Sequence, residues 1–347
     1  MNKKKWLTYI LPTIFFLCFL AALVGTSLTR PRVLVVMSYS AQDLWEQQIR
    51  AALEQTFQKN APFFLVDYDY LNISHNSTPD YIARVLQNVN TLITVWHPHV
   101  LLLVDDDAQF YVGKAYLNNP NISIVFSGVS EIPALYGYKP KENVTGILEN
   151  LQFKPMQDAI KTMLPQYTKI IHLCDGSRIS AIIGPQIASY DWRPLQFLGS
   201  YPVNSLTDWL KIVKMANADH AILLVTHLQA VFDRGRHVDP EKLMQLTLQQ
   251  AQVPILGFFN FDADLGAPMT VSTSGFEQGQ VAADMAIRIL LKHEKPGDIP
   301  FANSQYFDFS INQKSIAINM PQVQIPFIYR SLAFLQTYFK TATQKGS

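Results

Sequence analysis

The chain has 347 residues, 48% hydrophobic and 16% charged, and 28 basic against 27 acidic side chains give a formal net charge of +1. That length holds two ordinary domains with full cores, and the composition excludes a disordered protein. Without a basic stripe or a long run of one sign, nucleic-acid binding is excluded as well.

The N-terminus departs from this average. Lys3, Lys4 and Lys5 precede residues 6–25, an uncharged apolar run, and Arg30 and Arg32 follow it. A run of this length is able to span a hydrocarbon core of roughly 30 Å as a helix. The lysines in front predict a cytoplasmic N-terminus with the remainder exported. Residues 1–30 are therefore expected to be a signal-anchor held in the inner membrane through 6–25, with a cleaved signal peptide as the alternative. The apolar run exceeds the roughly 7–15 residues of a cleavable signal and lacks a good small-x-small exit. Cys18 follows Phe16 and Leu17, which is no lipoprotein acceptor pattern. Cys174 is then the only cysteine in the exported body, so no internal disulfide is expected, and on an apolar strand it reads as a core residue.

From residue 33 onward, short branched runs alternate with amphipathic segments. VLVVMSYS (33–40), FFLVDYDYL (63–71), HVLLLVDDD (99–107) and ISIVFSGV (122–129) read as strands. Helices are expected at 43–58, where Trp45, Ile49, Leu53 and Phe57 recur at helical spacing, after Thr78-Pro79, and over 108–117. The strands are continuously apolar, which implies a mostly parallel sheet covered on both faces. After NVTGILENL (143–151) the pattern restarts, with strands KIIHLCDGS (169–177), QFLGSYPV (196–203), HAILLVTHL (220–228) and PILGFFNFD (254–262). MTVSTSGFEQGQVAADMAIRILLK (269–292) reads as a strand leading into a helix, with Ser274 and Glu277 as a capping box. YFDFSINQKSIAINM (306–320) and a helix at 328–339 close the chain.

These segments, in order and spacing, resemble the ABC-transporter substrate-binding proteins of type I periplasmic binding fold. The resemblance is greatest to the tryptophan/tyrosine-type binding components and related sensor ectodomains. It covers roughly residues 31–325 and rests on VLVVMSYS, VLLLVDDDAQ, IVFSGV, NVTGILE, HAILLVTH, VPILGFFNFD and above all TSGFEQGQVAADMAIRILL with DIP after it. It implies two doubly wound parallel-sheet lobes joined by a three-strand hinge: 31–147 plus 270–300 as lobe one, 148–269 plus 301–345 as lobe two. It also implies hinge closure on a ligand. The long apolar N-terminal segment departs from a typical soluble binding component.

In open parallel sheets, ligands bind beyond the carboxyl ends of the strands. In lobe one these ends offer Ser38, Tyr39, Ser40, Asp105, Asp106, Ser127 and Gly128. In lobe two they offer Thr226, His227, Asn260 and Asp262. The expected role is capture of a small polar organic molecule, amino-acid-like or aromatic by resemblance. Asp105 or Asp106 would take an ammonium or hydroxyl; Ser38, Ser40, Ser127 and Gly128 would take a carboxylate or ring substituents. The partner would be an ABC permease, or a membrane signalling protein if the chain is a tethered sensor. The run Asp105-Asp106-Asp107 would also suit a magnesium or phosphoacceptor site, but the first strand supplies Ser-Tyr-Ser rather than further carboxylates. No phosphate-binding or dinucleotide motif is present either. No nucleophile elbow surrounds Ser38 or Ser40, and His97-Pro98-His99 reads as a loop rather than a metal site. No cofactor, metal or catalytic residue is expected.

Overall fold

The computed structural model describes residues 12–17, 19, 30–73, 78–139 and 142–333. Of the apolar run 6–25, only 12–17 and 19 are described, and they are helical; the expected membrane span otherwise lies outside the described residues. Among the described residues no helix is long and apolar enough to cross a membrane.

The branched runs form two six-stranded sheets. In the first, β1 (Arg32–Met37) lies between β2 (Leu65–Tyr70) and β3 (Val100–Val104), followed by β4 (Ser123–Val129), β5 (Val144–Leu148) and the two-residue β13 (Ala302–Asn303). All its pairings are parallel. β3 is buried along its whole length, as a strand covered on both faces must be. The covers are α1 (Leu44–Asn60), α2 (Pro79–Trp96) and the returning helix α10 (Gly275–Lys292). Gly279 lets α10 approach α1 closely, since a Cβ there would stand 2.2 Å from the Ile49 carbonyl.

The second sheet runs β7 (Gln196–Pro202), β6 (Lys169–Cys174), β8 (Ile222–Thr226), β11 (Ile255–Gly257), β12 (Met269–Thr273) and β14 (Phe307–Ile311). It is parallel except that β14 is antiparallel to β12. Helices α5 (Phe153–Met163), α6 (Arg178–Ser189), α7 (Leu206–Asp219), α8 (Pro240–Gln250) and α11 (Gln313–Asn319) flank it. β9 (Phe232–Asp233) and β10 (Arg236–His237) make a small exposed hairpin from the charged stretch near His227.

The chain passes between the sheets three times: after β5, between β12 and α10, and between β13 and β14. The last two changes fall a few residues beyond the expected 270 and 301, because β12 pairs in the second sheet and β13 in the first. The three passages are tied together. Thr273 Oγ1 donates to the Asn150 carbonyl at 2.7 Å, and Asn150 Nδ2 to Asn303 Oδ1 at 2.9 Å.

Two local expectations need correction. The strand expected at 254–262 ends at Gly257, and Asn260–Asp264 is a short helix, α9. Asp262 reaches back to accept the Phe259 N–H at 3.1 Å, which turns the chain there. The capping box does not form either. Ser274 is the N-cap but its side chain makes no cap bond. Glu277 instead accepts the N–H groups of Gln305 and Tyr306 at 2.9 Å each, tying the third passage to α10.

Candidate functional site

The carboxyl ends of β1, β3 and β4 bring lobe one's candidate residues together. Ser38, Asp105, Asp106, Ser127 and Gly128 are buried, and Tyr39 and Ser40 half-buried. Their tasks differ. The Ser38 hydroxyl donates to the Val104 carbonyl at 2.6 Å and accepts from Ala108 N–H at 2.9 Å. It therefore bridges the end of β3 and the last residue of the short helix α3 (Asp105–Ala108). The Ser40 carbonyl accepts from Asp43 N–H, closing the turn into α1. Ser127 Oγ and Gly128 N–H both donate to Gln278 Oε1, at 3.3 and 2.8 Å, so both are engaged by α10.

The three aspartates diverge. Asp106 accepts from Tyr136 Oη at 2.6 Å, Glu131 N–H at 3.2 Å and Ser130 N–H at 3.3 Å. It is a loop organiser whose four lone-pair sites are mostly filled. Burial raises its pKa, and the Tyr136 hydrogen bond pulls it back. Asp107 is half-buried on α3. Asp105 has φ 63°, the left-handed region that Asp tolerates better than most residues. Its Oδ1 accepts from the indole N–H of Trp45 at 2.8 Å, while the buried Oδ2 has no donor.

A second carboxyl, absent from the sequence reading, joins it. Glu46 on α1 is fully buried; its Oε1 accepts the Tyr39 N–H at 2.7 Å and its Oε2 has no donor. Burial pushes the Glu46 carboxyl up to about 8. Burial, then the Glu46 charge, drive Asp105 well above the usual carboxylate range. Glu149, just past β5, accepts from Ser130 Oγ at 2.8 Å and is raised to about 7, again by burial. No ion pair among the described residues involves these acids. Nor, among the described residues, does any group of three or more His, Cys, Asp or Glu stand so as to hold a metal ion. Glu46 was hidden in the sequence because it occupies the first turn of an amphipathic helix, where an acid reads as a favourable but exposed charge. Its one signal was proximity to the Asp43 cap.

In lobe two the strand ends are more self-contained. Thr226 Oγ1 stands 2.9 Å from His172 Nε2, and Ser200 Oγ is 2.7 Å from the other ring nitrogen. Burial lowers His172 to about 3, so it is neutral. Asn260 Oδ1 accepts from Ser272 and Ser310 hydroxyls at 2.6 and 3.2 Å, and Nδ2 donates to Asp308. Asp262 is buried with one oxygen lacking a donor, and burial raises it well above the usual range. His227 has φ 47°, is 8% exposed, and carries an unpartnered Nδ1. Burial lowers it to about 4, against the pull of Asp175. Its ring meets Phe259 and Phe261 edge-on at 4.8 and 5.8 Å, and those two rings stack at 5.1 Å. Cys174 is buried, with its thiol pushed up to about 12 by burial, as befits a core residue.

The two edges meet. Helix α9, which carries Phe261, lies against α1, which carries Trp45 and Glu46. Gln186 Nε2 on α6 reaches the Ser130 carbonyl of lobe one at 3.4 Å.

Residues 236–326 match the family model described as ABC transporter substrate binding protein. No curated protein matches the chain. Among solved structures, a conserved domain protein from Vibrio cholerae is similar, at 15% identity and a TM-score of 0.61, covering 88% of this chain and 99% of its own. The ABC domain in complex with L-Trp from Streptococcus pneumonia gives 15% identity and 0.61, with 87% and 98% covered. The ligand-free, open structure of a substrate binding protein with adhesive properties from Clostridium difficile gives 13% identity and 0.66, with 86% and 96% covered. The topology and these neighbours give the chain the type I periplasmic-binding fold, and residues 236–326 carry its match to the ABC transporter substrate-binding family model.

Proposed function

We propose that this chain is an extracytoplasmic solute-binding protein that closes two lobes on a small polar organic molecule and delivers it to an ABC-type permease. The observation that carries this reading is the pair of facing strand-end edges, joined by three passages of chain, in a fold shared with substrate-binding proteins. A ligand touching both edges stabilises the closed arrangement by its differential contacts, and nothing else is needed to drive closure. Residues 31–147 and 148–269 form the bulk of the two lobes, with Asp105, His227 and the strand-end backbone in contact with ligand. Thermal-shift screening of the full chain against amino acids, amines and sugars, followed by small-angle scattering, tests the reading. A ligand that raises the melting temperature is expected to reduce the radius of gyration; clear thermal shifts with unchanged scattering would rule out hinge closure.

A second role on the same fold, a tethered sensor or adaptor for a membrane signalling partner, is favoured by one observation, the uncharged run 6–25 behind Lys3–Lys5. An intact N-terminus on the mature protein, held in the inner membrane, would select this role. A trimmed chain free in the periplasm would select transport.

A further inference from the structure

The end of lobe one opposite the binding edge mixes bases with exposed apolar groups. Its strands are parallel, so α1 and α2 return to the strand starts, away from Ser38 and Asp105. The Leu65 N–H donates to the Pro31 carbonyl and the His99 N–H to that of Arg32, both at 2.9 Å, which gathers three strand starts at one rim. Helix α10 runs beside α1 in the same direction, with Gly275 against Trp45 and Asp284 near Asn60 and Lys292, so its last turn reaches this rim too. Arg30 Nε donates to the Phe63 carbonyl at 2.6 Å, and Arg32 Nη1 to the Trp96 carbonyl at 2.7 Å. Bases at helix ends are ordinary. Beside them, however, Phe63, Val95 and Leu291 are 46%, 74% and 39% exposed, and Lys59 and Lys292 are exposed as well.

A short tether leads to this rim. Five residues separate the end of the uncharged run at 25 from Arg30, and an extended chain of that length reaches at most roughly 18 Å. Resting on the tethered reading above, we infer that the rim lies on an anionic lipid surface, with Arg30, Lys59 and Lys292 over headgroup phosphates and Phe63, Val95 and Leu291 in the interfacial layer. With 6–25 across the bilayer, the tether holds Arg30 within that reach of the surface. Basic side chains there are drawn to anionic headgroups, and exposed apolar side chains settle at the boundary of the hydrocarbon. The six residues of β1 rise about 3.3 Å each, so Ser38 and Asp105 stand roughly 20 Å above the rim. The binding edge thus points away from the lipid and stays open to solutes.

The full chain with Cys18→Ala, held one copy per lipid nanodisc, tests the inference. A fluorophore on Thr94→Cys reports the rim and one on Asp233→Cys the lobe-two hairpin; both sites are exposed, whereas Cys174 is buried. The discs carry a headgroup nitroxide quencher in phosphatidylcholine, with or without phosphatidylglycerol. With phosphatidylglycerol, quenching at 94 is expected to exceed that at 233 by about threefold or more. It should fall to about half or less in 1 M salt, where the Debye length is about 3 Å. Lys59→Gln with Lys292→Gln is expected to give a similar fall without salt, its melting temperature reporting that it folds. Equal quenching at the two labels, or quenching at 94 indifferent to phosphatidylglycerol and salt, overturns the inference and leaves the tethered reading standing. So does quenching that appears only at two copies per disc, which gives the rim to a second copy. A chain that washes off the discs overturns the tethered reading, and the inference with it.

Discussion

The two lobes share an architecture but treat their strand ends differently. At the lobe-two edge Asp175 is fully buried and its carboxylate is saturated, accepting from Ser177 N–H at 3.0 Å, Ser180 Oγ at 2.7 Å and Ala230 N–H at 2.9 Å. At the lobe-one edge Asp105, at the carboxyl end of a central strand, receives one indole N–H and otherwise meets a second carboxyl, that of Glu46. In lobe two this carboxylate is saturated by donors of its own lobe. In lobe one two buried acids share an edge with a single indole donor to Asp105. The same residue type thus sits in opposite surroundings depending on its donors.

The largest expected effect lies on the saturated side. Asp175→Ala strands three donors in the interior and should cost about 3 kcal/mol, read as a lowered denaturation midpoint. Asp105→Asn should leave that midpoint nearly unchanged or raise it, since the variant removes a carboxyl whose charged form is disfavoured by burial and by Glu46; equal losses in the two variants would erase the contrast between lobes. Glu277→Ala comes next, at about 2 kcal/mol, because it frees the Gln305 and Tyr306 N–H groups and loosens the third passage.

The pH response is smaller because the lobes oppose each other. Glu46 and Glu149 have folded pKa values above their ordinary 4.5, at about 8 and about 7. Between 4.5 and those values the folded state binds more protons than the unfolded one, so lobe one loses stability as pH rises. His172 and His227 are depressed below 6.5, to about 3 and about 4, so the unfolded state binds more protons in that window and lobe two gains stability as pH rises. Melting temperatures of the ligand-free protein should decline from pH 6.5 to 8, and Glu46→Gln should flatten that decline. An unchanged slope in the variant would remove Glu46 as its source. The smallest effect expected is from Ser274→Ala, within about 0.5 kcal/mol by chemical denaturation, because that side chain caps nothing.

Much of this was legible in the sequence, and the failures are specific. Continuous runs such as Leu101–Val104 and Ile222–Thr226 can only be strands covered on both faces, so the parallel sheets were readable. The antiparallel β14 and the two-residue β13 were not, since direction and membership of a short edge strand depend on where the chain returns, not on periodicity. Strand ends located the candidate edge as a region, yet not the tasks within it. Ser38 and Asp106 satisfy backbone groups of loops distant in sequence, and Glu46 comes from a helix whose local pattern looked solvent-facing. Hydrogen-bond partners tens of residues away, as for Ser38 and Asp106, leave no local signature.

Gln278 carries a mechanical consequence. Its amide oxygen takes Ser127 and Gly128 at the end of β4, and its amide nitrogen reaches the Leu148 carbonyl at 3.1 Å and Ser304 Oγ at 2.7 Å. One side chain, four residues past the second passage, thereby pins the chain just before the first passage and just after β13. The lobe-one ends of all three connectors behave as a single rigid bracket. Any swing of one lobe against the other is taken up on the far side of that bracket, near 149–152 and 273–274 and, since Glu277 also holds Gln305 and Tyr306, beyond 306, which puts the pivot at the lobe-two margin rather than midway between the sheets.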